Sequence, residues 1–134
     1  MKIYLVAYFA TGLAFLLLDG LWLSQMGPTI YRPIMGDAAL EGFRIIPAAI
    51  FYALFLIGIV IFAVSPALAS GSWTTALTYG ALFGFFAYAT YDLTNQATLK
   101  NWSTTLSLID MSWGTFLTAV SATAGYLAAT RFAN

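Results

Sequence analysis

Four long runs of apolar residues limit most strongly what this chain can fold into. They extend over about residues 3–25, 45–64, 73–95 and 103–130. Each run reaches the roughly 20 residues that a helix needs to cross the hydrocarbon core of a bilayer. Only 7% of all residues are charged, against about 25% in a typical soluble domain. The sequence therefore predicts an integral membrane protein.

The connections between the runs predict how the helices are arranged. A short stretch from Ser65 to Ser72 joins the second run to the third, and a tighter turn around Lys100 joins the third to the fourth. Because short connections place consecutive helices antiparallel, we expect an all-α fold. It is a four-transmembrane-helix antiparallel bundle that forms one integral membrane domain over residues 1–134.

The first connection, residues 26–44, is longer and mixes apolar with charged side chains. We expect it to lie in the headgroup region as an interfacial segment. A solvated loop is the alternative interpretation.

The residue types that are missing exclude several kinds of chemistry. The chain contains no cysteine and no histidine, which excludes disulfides, histidine-ligated haem and the usual zinc sites. We expect no cofactor and no metal site. Five basic and five acidic residues cancel, and the basic ones are scattered, so no nucleic-acid-binding surface is predicted. Carboxyl and tyrosine side chains remain as the main candidates for proton chemistry.

Three aspartates, Asp19, Asp92 and Asp110, interrupt the apolar runs. An aspartate at the centre of a membrane helix costs about 3 kcal/mol, so such residues are functional-site hypotheses by default. Asp19 and Asp92 lie near the ends of the first and third runs, and Asp110 lies near the start of the fourth. Antiparallel threading therefore places all three near one face of the membrane. As the alternative, each aspartate lies in the interface and pairs with a basic residue near that face: Arg32, Arg44 or Lys100.

On each of these three helices, residues at helical spacing from the aspartate lie on the same face as that aspartate. These faces comprise Thr11, Phe15, Asp19 and Trp22 on the first helix; Gly84, Tyr88, Asp92 and Asn95 on the third; and Ser103, Ser107, Asp110, Gly114, Thr118, Ser121 and Gly125 on the fourth. We expect the bundle to turn these faces inward, although the fourth could equally serve close packing. The second helix has no polar face, so we expect it to form an apolar wall. The G-x-x-x-G pair Gly80 and Gly84 permits close helix approach and offers a homodimer interface.

The aspartates and the groups around them make up the candidate site. We assign Asp92 as proton donor and Asp110 as its coupled partner, with Asp19 as a third catalytic carboxyl. Candidate ligand-binding residues lie within about two turns of them: Trp22, Tyr88, Tyr91, Asn95 and Trp113. These aromatic rings could also simply fill space. The other two tryptophans, Trp73 and Trp102, lie at predicted helix ends and suggest an interfacial belt.

One stretch of sequence is specific enough to suggest a family. It is Y-D-L-T-N-Q-A-T-L at residues 91–99. Further matching positions are Leu18, Asp19, Trp22, Trp102, Asp110 and Trp113. With these residues the whole chain resembles a family of small bacterial inner-membrane proteins, domain of unknown function 2177. The resemblance implies a multi-pass protein of the inner (cytoplasmic) membrane and supports the choice of site residues, but it implies no reaction.

Three hypotheses for function follow from these residues. The first is a one-sided pocket that binds or converts a lipophilic substrate by carboxylic acid-base chemistry, because buried carboxyls that share a site tend to retain a proton. The second is a cation or proton transport element, and the third is a structural or regulatory subunit whose aspartates contact a membrane partner. The basic residues do not fix the orientation: three lie on the aspartate side and two on the other, but Lys2 beside the first helix favours a cytoplasmic N-terminus.

Overall fold

The computed structural model describes residues 1–31 and 44–133, and this part of the chain is helical without any strand. Its four helices are α1 (Lys2–Met26), α2 (Ile45–Ser70), α3 (Trp73–Thr98) and α4 (Thr104–Phe132). Helix α4 packs along both α3 and α1 and is the central helix of the bundle. The predicted all-α antiparallel four-helix bundle is confirmed.

Two of the helices are long and apolar enough to cross a membrane, over Lys2–Thr29 and Ile45–Ser70. Helices α3 and α4 are also long, with 26 and 29 residues, but they carry polar faces. These faces are buried within the bundle, whereas most of α1 and α2 is exposed. The outer surface is therefore largely apolar.

Helix α2 continues beyond its predicted end at residue 64. It passes through a π-helical turn at Val60–Val64, where the Ser65 N–H donates to the Val60 carbonyl, and ends at Ser70. Pro66 has no N–H for the carbonyl four residues before it. A π-helical turn pairs each N–H with the carbonyl five residues earlier, so the helix passes the proline without ending. Gly71, at a φ of 70°, supplies the left-handed residue that stops it.

Helices α3 and α4 approach closely through glycine. A Cβ atom added at Gly84 would lie 2.5 Å from the Gly114 carbonyl oxygen and 2.6 Å from the Thr118 side chain. A Cβ atom at Gly80 would lie 2.9 Å from that of Ala122. The G-x-x-x-G pair is therefore used inside the chain, and our suggestion that it offers a homodimer interface is wrong.

Side-chain hydrogen bonds join the end of α3 to the start of α4. The Trp102 Nε1–H donates to the Ser107 hydroxyl at 3.1 Å, and that hydroxyl donates to Gln96 Oε1 at 2.8 Å. Gln96 in turn donates to the Thr104 hydroxyl at 2.8 Å. Trp102 is only 6% exposed, so its assignment to an interfacial belt is wrong. Trp73 lies at the start of α3 and is 52% exposed.

After α1 the chain forms a π-helical turn over Gly27–Tyr31. Residues 32–43 of the predicted interfacial connection lie outside the described residues.

Candidate functional site

The bundle buries all three aspartates. Asp92 is fully buried, and Asp19 and Asp110 are 6% and 5% exposed. Asp110 lies close enough to both other aspartates to interact with their charges. Antiparallel packing thus brings Asp110 near both of the other carboxyls that the sequence singles out.

Asp19 is held by hydrogen bonds from two other helices. The Tyr52 hydroxyl of α2 donates to Asp19 Oδ2 at 2.8 Å, and the Trp113 Nε1–H of α4 donates to Oδ1 at 3.1 Å. The indole ring of Trp113 stacks on Trp22, with ring centroids 4.3 Å apart and planes 6° from parallel. Asp19 therefore fixes the position of a stacked tryptophan pair.

Asp92 has a different environment. No N–H or O–H group in residues 1–31 or 44–133 donates to either of its carboxyl oxygens. The carboxyl of Asp110 lies within hydrogen-bonding reach, but two carboxylates have no proton between them. A hydrogen bond in this pair requires that one carboxyl be protonated.

The two candidate tyrosines of α3, Tyr88 and Tyr91, have different surroundings. The Tyr88 ring lies against Gly114 of α4, where a Cβ atom would collide with it. Tyr91 lies close enough to Asp92 and Asp110 to interact with both charges, and its hydroxyl is within hydrogen-bonding reach of the Asn95 side chain. Tyr91 is also 51% exposed. Its side chain therefore links the buried pair to the outside of the bundle.

Sequence reasoning missed Tyr52, because α2 was expected to be only an apolar wall. Tyr52 is the one side chain with a hydroxyl group between residues 45 and 64. A single hydroxyl group in an otherwise apolar helix was the one sequence feature that could have indicated Tyr52 as a site residue. The donation to Asp19 brings α2 into the site.

The polar face of α4 continues into the opposite half of the bundle. The hydroxyls of Thr118 and Ser121 on α4, and of Thr11 on α1, are buried without a hydrogen-bond partner in the described part of the chain. Thr11 lies against Gly125, where an added Cβ atom would collide with its hydroxyl. These hydroxyls lie along the seams that α4 forms with α1 and α3.

An open apolar groove lies at the end of the bundle away from the aspartates. It has a volume of about 420 Å³ and lies between α1 and α4, with Leu5, Phe9 and Phe132 among its lining residues. It contains none of the candidate site residues.

Comparison with known protein families, like the apolar outer surface, indicates a membrane protein. A family model described as a predicted membrane protein, DUF2177, matches residues 4–127. The chain belongs to this family. No curated protein and no solved structure matches it. The DUF2177 match includes α2 and α3 completely, most of α1 and α4, and every candidate site residue.

The chemistry that this DUF2177 site can perform follows from its groups. Within the described ranges, no three Asp, Glu, His or Cys side chains are placed to share a metal ion. The groups present are carboxyls, tyrosine hydroxyls and indole rings. They can hold and transfer protons, accept hydrogen bonds and stack on flat or cationic groups.

Proposed function

We propose that the protein is a multi-pass protein of the inner membrane, with all four helices crossing the bilayer. Its aspartate end binds a lipophilic ligand and acts on it by carboxylic acid-base chemistry. The family match and the two apolar spans support membrane residence. The buried polar faces of α3 and α4 allow these helices to cross as well. Exposed hydroxyls such as those of Thr90 and Thr94 donate to carbonyls of their own helix.

The observation that most strongly supports this function is the environment of Asp92. A fully buried carboxyl with no donor among the described residues is costly, and a structural residue could avoid that cost by being apolar. Placed beside Asp110, however, it can share one proton with that carboxyl. We infer that the pair holds such a proton and that this proton is used.

The surrounding groups suit an acid that acts on an apolar molecule. Asp92 and Asp110 supply the shared proton, and Tyr91 and Asn95 orient the ligand at the exposed edge of the pair. The Trp22 and Trp113 faces, held by Asp19, stabilise positive charge that develops on the ligand. An acid in such a setting can protonate an alkene or move a proton in an isomerisation.

Proton transport is the second candidate function. The buried hydroxyls of Thr11, Thr118 and Ser121 favour it, because they extend the polar groups from the aspartate end into the other half of the bundle. Proton flux into proteoliposomes that contain the purified protein and no added ligand, abolished by Asp92→Asn, would favour transport over ligand chemistry.

The lipids that remain bound after purification test the proposal. We expect mass spectrometry of wild-type protein from its native membrane to identify a lipophile at about one per chain. We expect Asp92→Asn to lose most of it. The matched control is Thr115→Val on α4, whose hydroxyl donates only to the Met111 carbonyl of its own helix at 2.8 Å. Equal retention by all three proteins, or no bound lipophile in the wild type, contradicts the proposal.

A further inference from the structure

The aspartate oxygens of the site offer hydrogen-bond acceptors to a ligand. Each oxygen of Asp19 already accepts one hydrogen bond, from Tyr52 or Trp113. The two oxygens of Asp92 accept none from the described residues. A carboxyl group in either protonation state keeps acceptor capacity. The complementary group on a ligand is therefore a hydrogen-bond donor.

The charges of the described residues disfavour an anionic ligand head. Lys2 and Arg131 lie at the other end of the bundle. Arg44 and Lys100 lie at the aspartate end, but both are exposed, and neither is among the groups that act on the charge of Asp19 or Asp92. A phosphate or carboxylate at the aspartate end would approach Asp19 and Asp92 closely. Like charges placed together in this way oppose binding.

The route to the carboxyls crosses an apolar surface. Tyr91 has one part at the carboxyl pair and about half of its surface exposed. Leu93 and Leu108, on the same ends of α3 and α4, are also exposed. A chain of apolar atoms can rest against this surface while the polar head reaches the pair beside Tyr91.

We infer that the ligand is a lipophile whose head donates hydrogen bonds and carries no negative charge, such as a hydroxyl or an ammonium group. This inference rests on the proposed function, because it assigns a ligand class to the same carboxyl pair. The alcohol and the amine are two sources of one chemistry, a donor directed at Asp92.

Binding of three molecules with the same chain tests the inference: oleyl alcohol, oleylamine and oleate. Each is titrated into purified wild-type protein in detergent, and binding is followed by native mass spectrometry. We expect the alcohol, the amine or both to bind at least about tenfold more tightly than oleate, and this preference to shrink in Asp92→Asn. The Thr115→Val control is expected to keep the preference.

The possible results separate this inference from the proposed function. Equal binding of all three molecules, or tighter binding of oleate, overturns the inference that the ligand head must donate hydrogen bonds. The proposed binding of a lipophile at this site is then unaffected. A preference that Asp92→Asn leaves unchanged also overturns the inference, because the selecting group then lies elsewhere. Failure of all three to bind overturns both. Amine binding alone and alcohol binding alone each support the inference, because both heads donate hydrogen bonds and neither is an anion.

Discussion

Gly84→Ala is expected to destabilise the bundle by about 1–3 kcal/mol, the usual cost of overpacking a close contact. The added methyl would meet the Gly114 carbonyl oxygen at 2.5 Å and the Thr118 side chain. A backbone carbonyl cannot rotate away as a flexible side chain can, so α3 and α4 must separate. Thermal unfolding in detergent, followed by circular dichroism, measures the loss.

Gly20→Ala is the matched control for this change. Gly20 is also a helical glycine, but a Cβ atom there meets nothing within 4 Å. Because alanine favours helix by about 1 kcal/mol over glycine, Gly20→Ala is expected to be neutral or stabilising. If both variants unfold at the same temperature, the close contact between α3 and α4 is not formed as described.

Asp92→Asn is expected to stabilise the protein by about 1–3 kcal/mol, since keeping a buried carboxyl protonated at neutral pH costs folding free energy that a neutral amide does not cost. The amide is neutral, nearly the same size as the carboxyl, and able to donate to Asp110. A substitution that abolishes ligand binding while raising stability is the expected result for a residue kept for function. Chemical or thermal unfolding of the purified variant measures the change.

Asp19→Asn is expected to change the stability in the opposite direction. Both oxygens of Asp19 accept hydrogen bonds, from Tyr52 and Trp113, and an amide nitrogen cannot accept one. This variant is therefore expected to lose about 1–3 kcal/mol. If Asp92→Asn is destabilised as much as Asp19→Asn, Asp92 is a structural residue, and its environment no longer supports the proposed function.

The inward-facing residues could be predicted from two patterns: the helical spacing of the polar residues and the antiparallel order of consecutive helices. Thr11, Phe15 and Asp19 share one face of α1, and all three are buried. The α4 face from Ser107 to Gly125 is buried in the same way. Periodicity indicates which side of a helix is polar, and short connections fix which ends meet.

Contacts made by single residues could not be predicted in this way. Tyr52 is one polar group in an apolar helix, so it produces no periodic pattern, yet it donates to Asp19. Trp102 lies at a helix end, where position alone suggests the interface, but Ser107 draws it inside. Gly80 and Gly84 match both an internal and an intermolecular contact, and only the packed structure distinguishes them.

The helix boundary at Pro66 shows a limit of another kind. Proline disfavours continuation of a helix through it, and the predicted second run ends at residue 64, two residues before Pro66. The π-helical turn before it satisfies the backbone by a different register, and no sequence rule used above anticipates that change. The consequence is a longer α2 that packs against α3 through its π-helical turn.

Infrared spectroscopy can detect the proton that we propose Asp92 and Asp110 share inside the bundle. Protein reconstituted in lipid at neutral pH is measured for the C=O stretching band of a protonated carboxylic acid, in the wild type, Asp92→Asn and Asp19→Asn. We expect a band in the wild type that persists in Asp19→Asn and disappears in Asp92→Asn. A wild type without that band, or a band that Asp92→Asn leaves in place, would contradict the shared proton.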